Sequence, residues 1–277
     1  MKQILCLMAV ALPLAAQVSF DRLRQAEAEP GNWLTYSGNY SSHRYSGLNQ
    51  ISTANVARLR PAWVYQIRST DRFETSPLVV NGIMYLSEPG GSVTALDTLT
   101  GRPVWKYVRT LPKTVRGCCG PMNRGVAILN DMIYVGTYDA HVVALDMHSG
   151  IVRWDTEVAD PKLGHSMTGA PLALKDKIVV GMAGGEYGVR GFIDAYDAQT
   201  GKRAWRFYTV PGPGDKDPGL IKAAATWPKT IVGGGGGTVW DAISYDPDLE
   251  LVYIGTGNAG PWSEDTRMSK EIGRAHV

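Results

Sequence analysis

Apolar residues in this chain come in short runs separated by turn residues, the pattern of strands rather than helices. One series is 77–80, an Asn81-Gly82 turn, 83–87, 92–96 and 103–108. Asn-Gly between apolar runs is the favoured two-residue hairpin turn. The series returns as 125–129, 132–136, 141–145 and 151–158, and again as 170–174, 178–181, 191–196 and 203–210. A fourth opens with 242–245 and 251–255, turned by Asp246-Pro247-Asp248. Ahead of these units, residues 27–46 are polar, dotted with aromatics and without a clear period. Residues 52–59 predict a short helix, capped by Ser52 or Thr53 and stopped before Pro61.

A repeat underlies the series. Ala95-Leu-Asp97-Thr-Leu-Thr100-Gly101-Arg-Pro-Val-Trp105 is followed by Ala144-Leu-Asp146-Met-His-Ser149-Gly150-Ile-Val-Arg-Trp154, then by Ala195-Tyr-Asp197-Ala-Gln-Thr200-Gly201-Lys-Arg-Ala-Trp205. The spacing is 49 and then 51 residues. A period near 50 means one supersecondary unit per repeat, as in propeller blades. Within each unit the Asp accepts backbone hydrogen bonds in a turn and the Gly supplies positive φ. The tryptophan of the last strand is expected between neighbouring units, as core rather than site. The fold expected is therefore all-β, a β-propeller of four-stranded blades around a central channel, with about three and a half blades in this chain.

Composition agrees: 32 glycines and 16 prolines in 277 residues favour turns and strands. Net charge is +2 with both signs spread along the chain, and no basic run points to nucleic acid. Residues 1–16 read as a secretory signal: Lys2, an apolar run over 4–14, then Leu14-Ala15-Ala16. That run is too short to span a bilayer and nothing later is longer, so a periplasmic protein that is not integral to the membrane is expected. The remaining divisions are a lead-in over 17–56, the partial propeller over 57–270, and a tail over 271–277 that resembles the translation of a DNA-sequencing adapter. Apart from Cys6 in the signal, the cysteines are the adjacent pair Cys118-Cys119. In an oxidising compartment they could pair, or remain two thiols.

Candidate chemistry follows from aligning the blades on their first hairpin turn. Glu74, Asn123, Thr168 and Val239 stand six positions before the end of the first strand; Arg124 and Trp240 stand five before it. Just past the return strands lie Glu186, within Gly184-Gly-Glu-Tyr-Gly-Val-Arg-Gly191, and Asn258. Innermost strands line a propeller's axis, so Glu74, Asn123, Arg124, Thr168, Glu186, Trp240 and Asn258 are expected at one mouth of the channel. Glu186 and Asn258 offer oxygens suited to a hard cation such as Ca²⁺, though two protein groups need further ligands from elsewhere. Arg124 suits a carboxylate or phosphate, and Trp240, after the glycines 233–237, offers a flat face. A flat, anionic, metal-chelating ligand is implied. Each residue also has a plainer reading: Arg124 paired with Glu74, Asn258 holding a turn, the glycines a loose loop, the histidines structural.

Together these residues resemble the pyrroloquinoline quinone (PQQ)-dependent alcohol dehydrogenases of the methanol and ethanol type, over about 33–262. The resemblance is carried by Leu59-Arg-Pro-Ala-Trp63, Cys118-Cys119 with Asn123-Arg124-Gly125, the Gly184–Gly191 loop and Gly255-Thr-Gly-Asn-Ala-Gly-Pro-Trp262. It implies an eight-bladed propeller in the family, with PQQ between Trp240 and a Cys118–Cys119 disulfide ring. It implies hydrogen bonds to PQQ from Glu74, Arg124, Thr168 and Thr238. Glu186 and Asn258 would hold calcium or a lanthanide. The activity implied is oxidation of a primary alcohol to an aldehyde, with electrons passed to a cytochrome c. Two departures stand out. Ala183 occupies a position where the family commonly has serine, and no residue here matches the family's catalytic base. The base is expected beyond this chain, and these 277 residues alone are expected to be inactive. The rival readings are a non-catalytic exported propeller scaffold in envelope protein assembly and a PQQ-dependent aldose dehydrogenase. The cysteine pair with Glu186 and Asn258 argues against the scaffold, and the cysteine pair against the aldose type.

Overall fold

The computed structural model describes residues 17–227, 235–241 and 243–261. The proposed signal (with Cys6), Gly233, Gly234, Ala242, Trp262 and the tail 271–277 lie outside the described residues. A short helix α1 (Phe20–Arg24), with Ser19 accepting from the Arg22 amide as its cap, precedes the sheets. Three blades follow, each a four-stranded antiparallel sheet in sequential order. They are β1 (Leu78–Val80), β2 (Ile83–Glu88), β3 (Ser92–Asp97) and β4 (Pro103–Tyr107); β5 (Ala127–Leu129), β6 (Met132–Gly136), β7 (His141–Asp146) and β8 (Val152–Glu157); and β9 (Leu172–Leu174), β10 (Lys177–Gly181), β11 (Phe192–Asp197) and β12 (Arg203–Tyr208). A helix α2 (Pro218–Ala224) and the pair β13 (Ile243–Asp246) and β14 (Leu251–Ile254) complete the described elements.

The repeat has a physical cause at each of its fixed positions. Asp97 Oδ1 accepts from the Leu99 and Thr100 amides and the Thr100 hydroxyl at 2.8–3.1 Å. Asp146 and Asp197 repeat the same three bonds with Ser149 and Thr200. Gly101, Gly150 and Gly201 then take φ near +70° (68°, 70° and 67°). Gly150 and Gly201 each lie beneath the tryptophan of the preceding unit, and Gly101 lies beneath Trp63. A Cβ on Gly150 would stand 2.5 Å from the Trp105 ring, and one on Gly201 2.6 Å from Trp154. Trp105 Nε1 donates to Met147 O at 2.9 Å and Trp154 Nε1 to Ala198 O at 3.0 Å, so ring and hydrogen bond both join blade to blade. Trp63, outside the repeat, does the same for blade one through Thr98 O at 2.9 Å. The alanines are the direct cross-strand partners of the tryptophans: Ala95 faces Trp105, Ala144 faces Trp154 and Ala195 faces Trp205. All three are fully buried, leaving no room for a larger side chain beside an indole. A register shift follows each alanine, a bulge that increases local twist.

One expectation changes. Residues 52–59 form only one 3-10 turn, Val56–Arg58, with no side-chain cap and no buried residue. A segment with no apolar face to bury gains no tertiary support for a full helix. The lead-in, in contrast, is tightly placed. Val18 pairs with Asn130, Trp33 with Val79, the Tyr40 hydroxyl donates to Ala173 O at 2.7 Å, and the Tyr245 amide donates to Tyr40 O at 3.0 Å. It thus crosses all four units at the hairpin-turn end of their inner strands, opposite the mouth described next.

Candidate functional site

The segments that feed the inner strands are bonded to one another across blades. The Ser76 amide donates to Arg124 O at 2.8 Å, the Arg124 amide to Thr168 O at 3.0 Å, and the Thr168 hydroxyl to Trp240 O at 3.1 Å. This ladder draws four units around one cleft of about 580 Å³. Glu74, Cys118, Cys119, Arg124, Thr168, Glu186, Thr238, Trp240 and Asn258 all line it. Asn123 does not. It is 2% exposed, its amide donates to Gly136 O at 2.7 Å and its oxygen accepts from the Gly125 amide at 3.1 Å. In extended backbone, neighbours point to opposite faces, so Asn123 faces the core because Arg124 faces the cleft.

The same alternation explains what the blade alignment missed. Arg72, Met122, Ser166 and Thr256 also line the cleft. Each stands two residues before a residue already singled out or aligned with one: Glu74, Arg124, Thr168 and Asn258. Ser166 is the bridge partner of Ala183 and accepts its amide at 2.8 Å, so a hydroxyl-bearing residue lines the cleft beside the alanine.

Arg124 is held in place. Its guanidinium lies 3.1 Å from Glu74 Oε2 and 3.6 Å from Asp241 Oδ1, and 5.1 Å from the Trp240 ring. The pairing with Glu74 considered from the sequence is present. It presents Arg124 to the cleft beside an indole that is 42% exposed. Glycine keeps this wall open: a Cβ on Gly257 would meet Trp240 Nε1 at 3.2 Å. Also lining the cleft, the sulfurs of Cys118 and Cys119 are joined, with Cys119 at φ 70°. The Tyr138 phenol donates to Cys118 O at 3.4 Å. Burial pushes that phenol's pKa up, with Tyr187 and Glu186 adding to the shift, so it remains a donor. Glu186 stands on a 3-10 turn, Gly185–Tyr187, bounded by left-handed Gly184 and Gly188. Among the described residues no cluster of three or more His, Cys, Asp or Glu is placed to hold a metal alone.

A family model for the glucose/ethanol/alcohol dehydrogenase PQQ β-propeller domain matches residues 33–265. The chain belongs to that PQQ propeller family. It is 43% identical over 270 residues to the quinohemoprotein alcohol dehydrogenase ADH IIB of Pseudomonas putida, covering 95% of this chain and 39% of that protein. It is 41% identical over 272 residues to the lanthanide-dependent methanol dehydrogenase of Methylacidiphilum fumariolicum, covering 89% of this chain and 43% of the relative. The solved quinohemoprotein alcohol dehydrogenase of Comamonas testosteroni superposes with a TM-score of 0.85 at 41% identity, over 92% of this chain and 39% of that one. The chain spans about two fifths of the length of these relatives. Among its described residues no helix is long and apolar enough to cross a membrane.

Proposed function

We propose that this chain carries the cofactor face of a periplasmic PQQ-dependent dehydrogenase that oxidises primary alcohols to aldehydes. The observation that carries the reading is the cleft. Two cations (Arg72 and Arg124), four hydroxyls, an exposed indole, a cysteine pair and the side-chain oxygens of Glu74, Glu186 and Asn258, contributed by four units, converge on it. The donor set fits the cofactor. Arg124, Thr168 and Thr238 would bind the carboxylate edge of PQQ, with Glu74 orienting Arg124. Trp240 and the Cys118–Cys119 ring would cover its two faces. Glu186 and Asn258 would hold calcium or a lanthanide, hard cations that favour oxygen ligands. When bound, PQQ supplies a two-electron acceptor and the metal a Lewis acid that polarises its carbonyl. The chain's own part is to orient the ring, keep it between two walls and exclude water from its faces. Oxidation also needs a base for the alcohol's hydroxyl proton. No residue here is assigned that role, so we expect cofactor binding but no turnover from these 277 residues alone. Passage of electrons to a cytochrome c completes the proposed reaction.

The test is titration of PQQ, with Ca²⁺ or La³⁺, into protein purified from its native gene, followed by quenching of tryptophan fluorescence. Saturable, metal-dependent quenching that is lost in Trp240→Ala supports the reading. Absence of any PQQ binding overturns it and favours an exported scaffold. Binding of PQQ with oxidation of aldoses but not primary alcohols would move the substrate class.

A further inference from the structure

The two residues assigned to the metal sit on different loops. Between them runs Gly235–Gly237. On one side the Gly236 amide donates to Val189 O at 2.9 Å and the Gly191 amide donates to Gly236 O at 2.9 Å. On the other side the Gly237 amide donates to Asn258 O at 3.0 Å and the Gly260 amide to Gly235 O at 3.1 Å. Gly236 is thus the bridge partner of both Arg190 and Ala259. The segment is a three-residue bridge, hydrogen-bonded on both sides, that joins the Glu186 loop to the Asn258 loop. Thr238 and Trp240 continue from it directly into the cleft.

Only glycine fits this strap. All three residues have positive φ, at 90°, 86° and 62°. A Cβ on Gly236 would stand 2.3 Å from the Gly260 nitrogen and 2.5 Å from Asn258 O, against the Asn258 loop. A Cβ on Gly235 would stand 2.4 Å from the Gly188 carbonyl, against the turn that carries Glu186. The obstacles are backbone on both sides and cannot rotate away.

The far side of the Glu186 loop is clamped as well. Arg190 donates to both oxygens of Asp215 at 2.7–2.8 Å and through Nε to Val210 O at 2.8 Å, and its guanidinium stacks 3.7 Å over the Tyr208 ring. Asp215 also accepts the Gly212 amide at 2.6 Å. Strap and clamp thus hold residues 189–191 from two sides.

We infer that the Gly235–Gly237 strap, braced by Arg190–Asp215, sets the separation of Glu186 and Asn258 and thereby the size of cation the site accepts. This rests on the assignment of those two residues to a metal. Strap and clamp residues touch neither cofactor nor metal; they position those that do. Cation selectivity among oxygen sites is a matter of cavity size and rigidity, and groups that orient metal ligands are typically worth about 10- to 100-fold in affinity.

The experiment is calorimetric titration of La³⁺ and of the smaller Lu³⁺ into the PQQ-loaded protein from its native gene. We compare the parent, Gly236→Ala, Arg190→Lys and Gly101→Ala. The last, at a tryptophan dock remote from the cleft, controls for lost stability. The parent is expected to discriminate between the two ions. Gly236→Ala is expected to bind both at least about tenfold more weakly and to lose most of that discrimination. Arg190→Lys, a milder change should Gly236→Ala fail to fold, is expected to move the same ratio in the same direction. Gly101→Ala is expected to melt lower with the ratio unchanged. Parent-like affinities and ratio in a folded Gly236→Ala or in Arg190→Lys would overturn the strap alone. No metal binding by the parent would remove the metal assignment and the strap with it.

Discussion

Replacing Trp154 with alanine tests the blade-to-blade dock most directly. The indole covers Gly201, donates to Ala198 O at 3.0 Å and meets the Tyr134 ring at 5.8 Å, tilted 46°. Truncating a buried tryptophan costs about 3–5 kcal/mol. Trp154 is only partly buried, which favours the lower end, about 3 kcal/mol. Of this, the hydrogen bond accounts for about 1 kcal/mol and the aromatic pair for about 0.5–1.5 kcal/mol. The carbonyl left behind is not orphaned, because the Tyr134 hydroxyl also donates to Ala198 O at 3.2 Å. Trp154→Phe keeps one six-membered ring but loses the donor and the pyrrole ring that carries it, so it should cost less than Ala, about 1–2 kcal/mol. A 3 kcal/mol loss corresponds to a fall in melting temperature of roughly 6–12 °C for a domain of this size. Thermal unfolding followed by circular dichroism, parent against both variants, reads the difference. A Trp154→Ala protein that melts within about 2 °C of the parent would refute the dock as a stabilising contact. Equal losses for Phe and Ala would show that the ring's packing contributes nothing.

Three further outcomes are expected. The Asp146 carboxyl is partly buried, which disfavours its charge, yet Arg153, the Ser149 hydroxyl and two backbone amides outweigh this and hold its pKa at about 2. Because the folded value lies below the unfolded one, the stability it contributes is complete above about pH 4 and is lost as pH falls toward about 2. Asp146→Asn should flatten that part of an acid-denaturation profile, and an unchanged profile would contradict the assignment. Arg124→Gln should weaken PQQ binding by about 10- to 100-fold and reduce its salt dependence, read by fluorescence titration. Glu186→Gln should weaken La³⁺ binding by about tenfold or more with little change in melting temperature, since Glu186 is exposed.

The blades were legible because their cause is local and repeated. Ala95, Asp97, Gly101 and Trp105 each satisfy a requirement that recurs one unit later. The cleft was legible for the same reason: positions matched along equivalent strands arrive at the same height. Height does not specify face, which is why Asn123 was expected in the cleft although it turns to the core, and why Arg72, Met122, Ser166 and Thr256 were passed over. Alternation from Glu74, Arg124, Thr168 and Asn258 would have found them. Helix α2 has a start signal in its sequence, Asp217 before Pro218, with Asp217 accepting the Leu220 amide at 3.0 Å. The lead-in was illegible for a different reason. Its partners, Val79, Asn130, Ala173 and Tyr245, are set by tertiary contact, and no period along residues 17–46 encodes them.

That lead-in changes how the array behaves as a whole. Repeat architectures in which each unit touches only its neighbours behave as one-dimensional chains, and a terminal unit can open while the others persist. A strand of chain laid across four successive units adds contacts that skip neighbours. Opening the fourth unit breaks the Tyr40–Tyr245 bond and loosens the segment that also holds the first. During synthesis the lead-in emerges ahead of the blades, but its last backbone partner, Tyr245, lies about 200 residues later. It must wait through most of the chain before it can close, a long-range contact of the kind that slows folding while making the finished array lose its units together rather than one at a time.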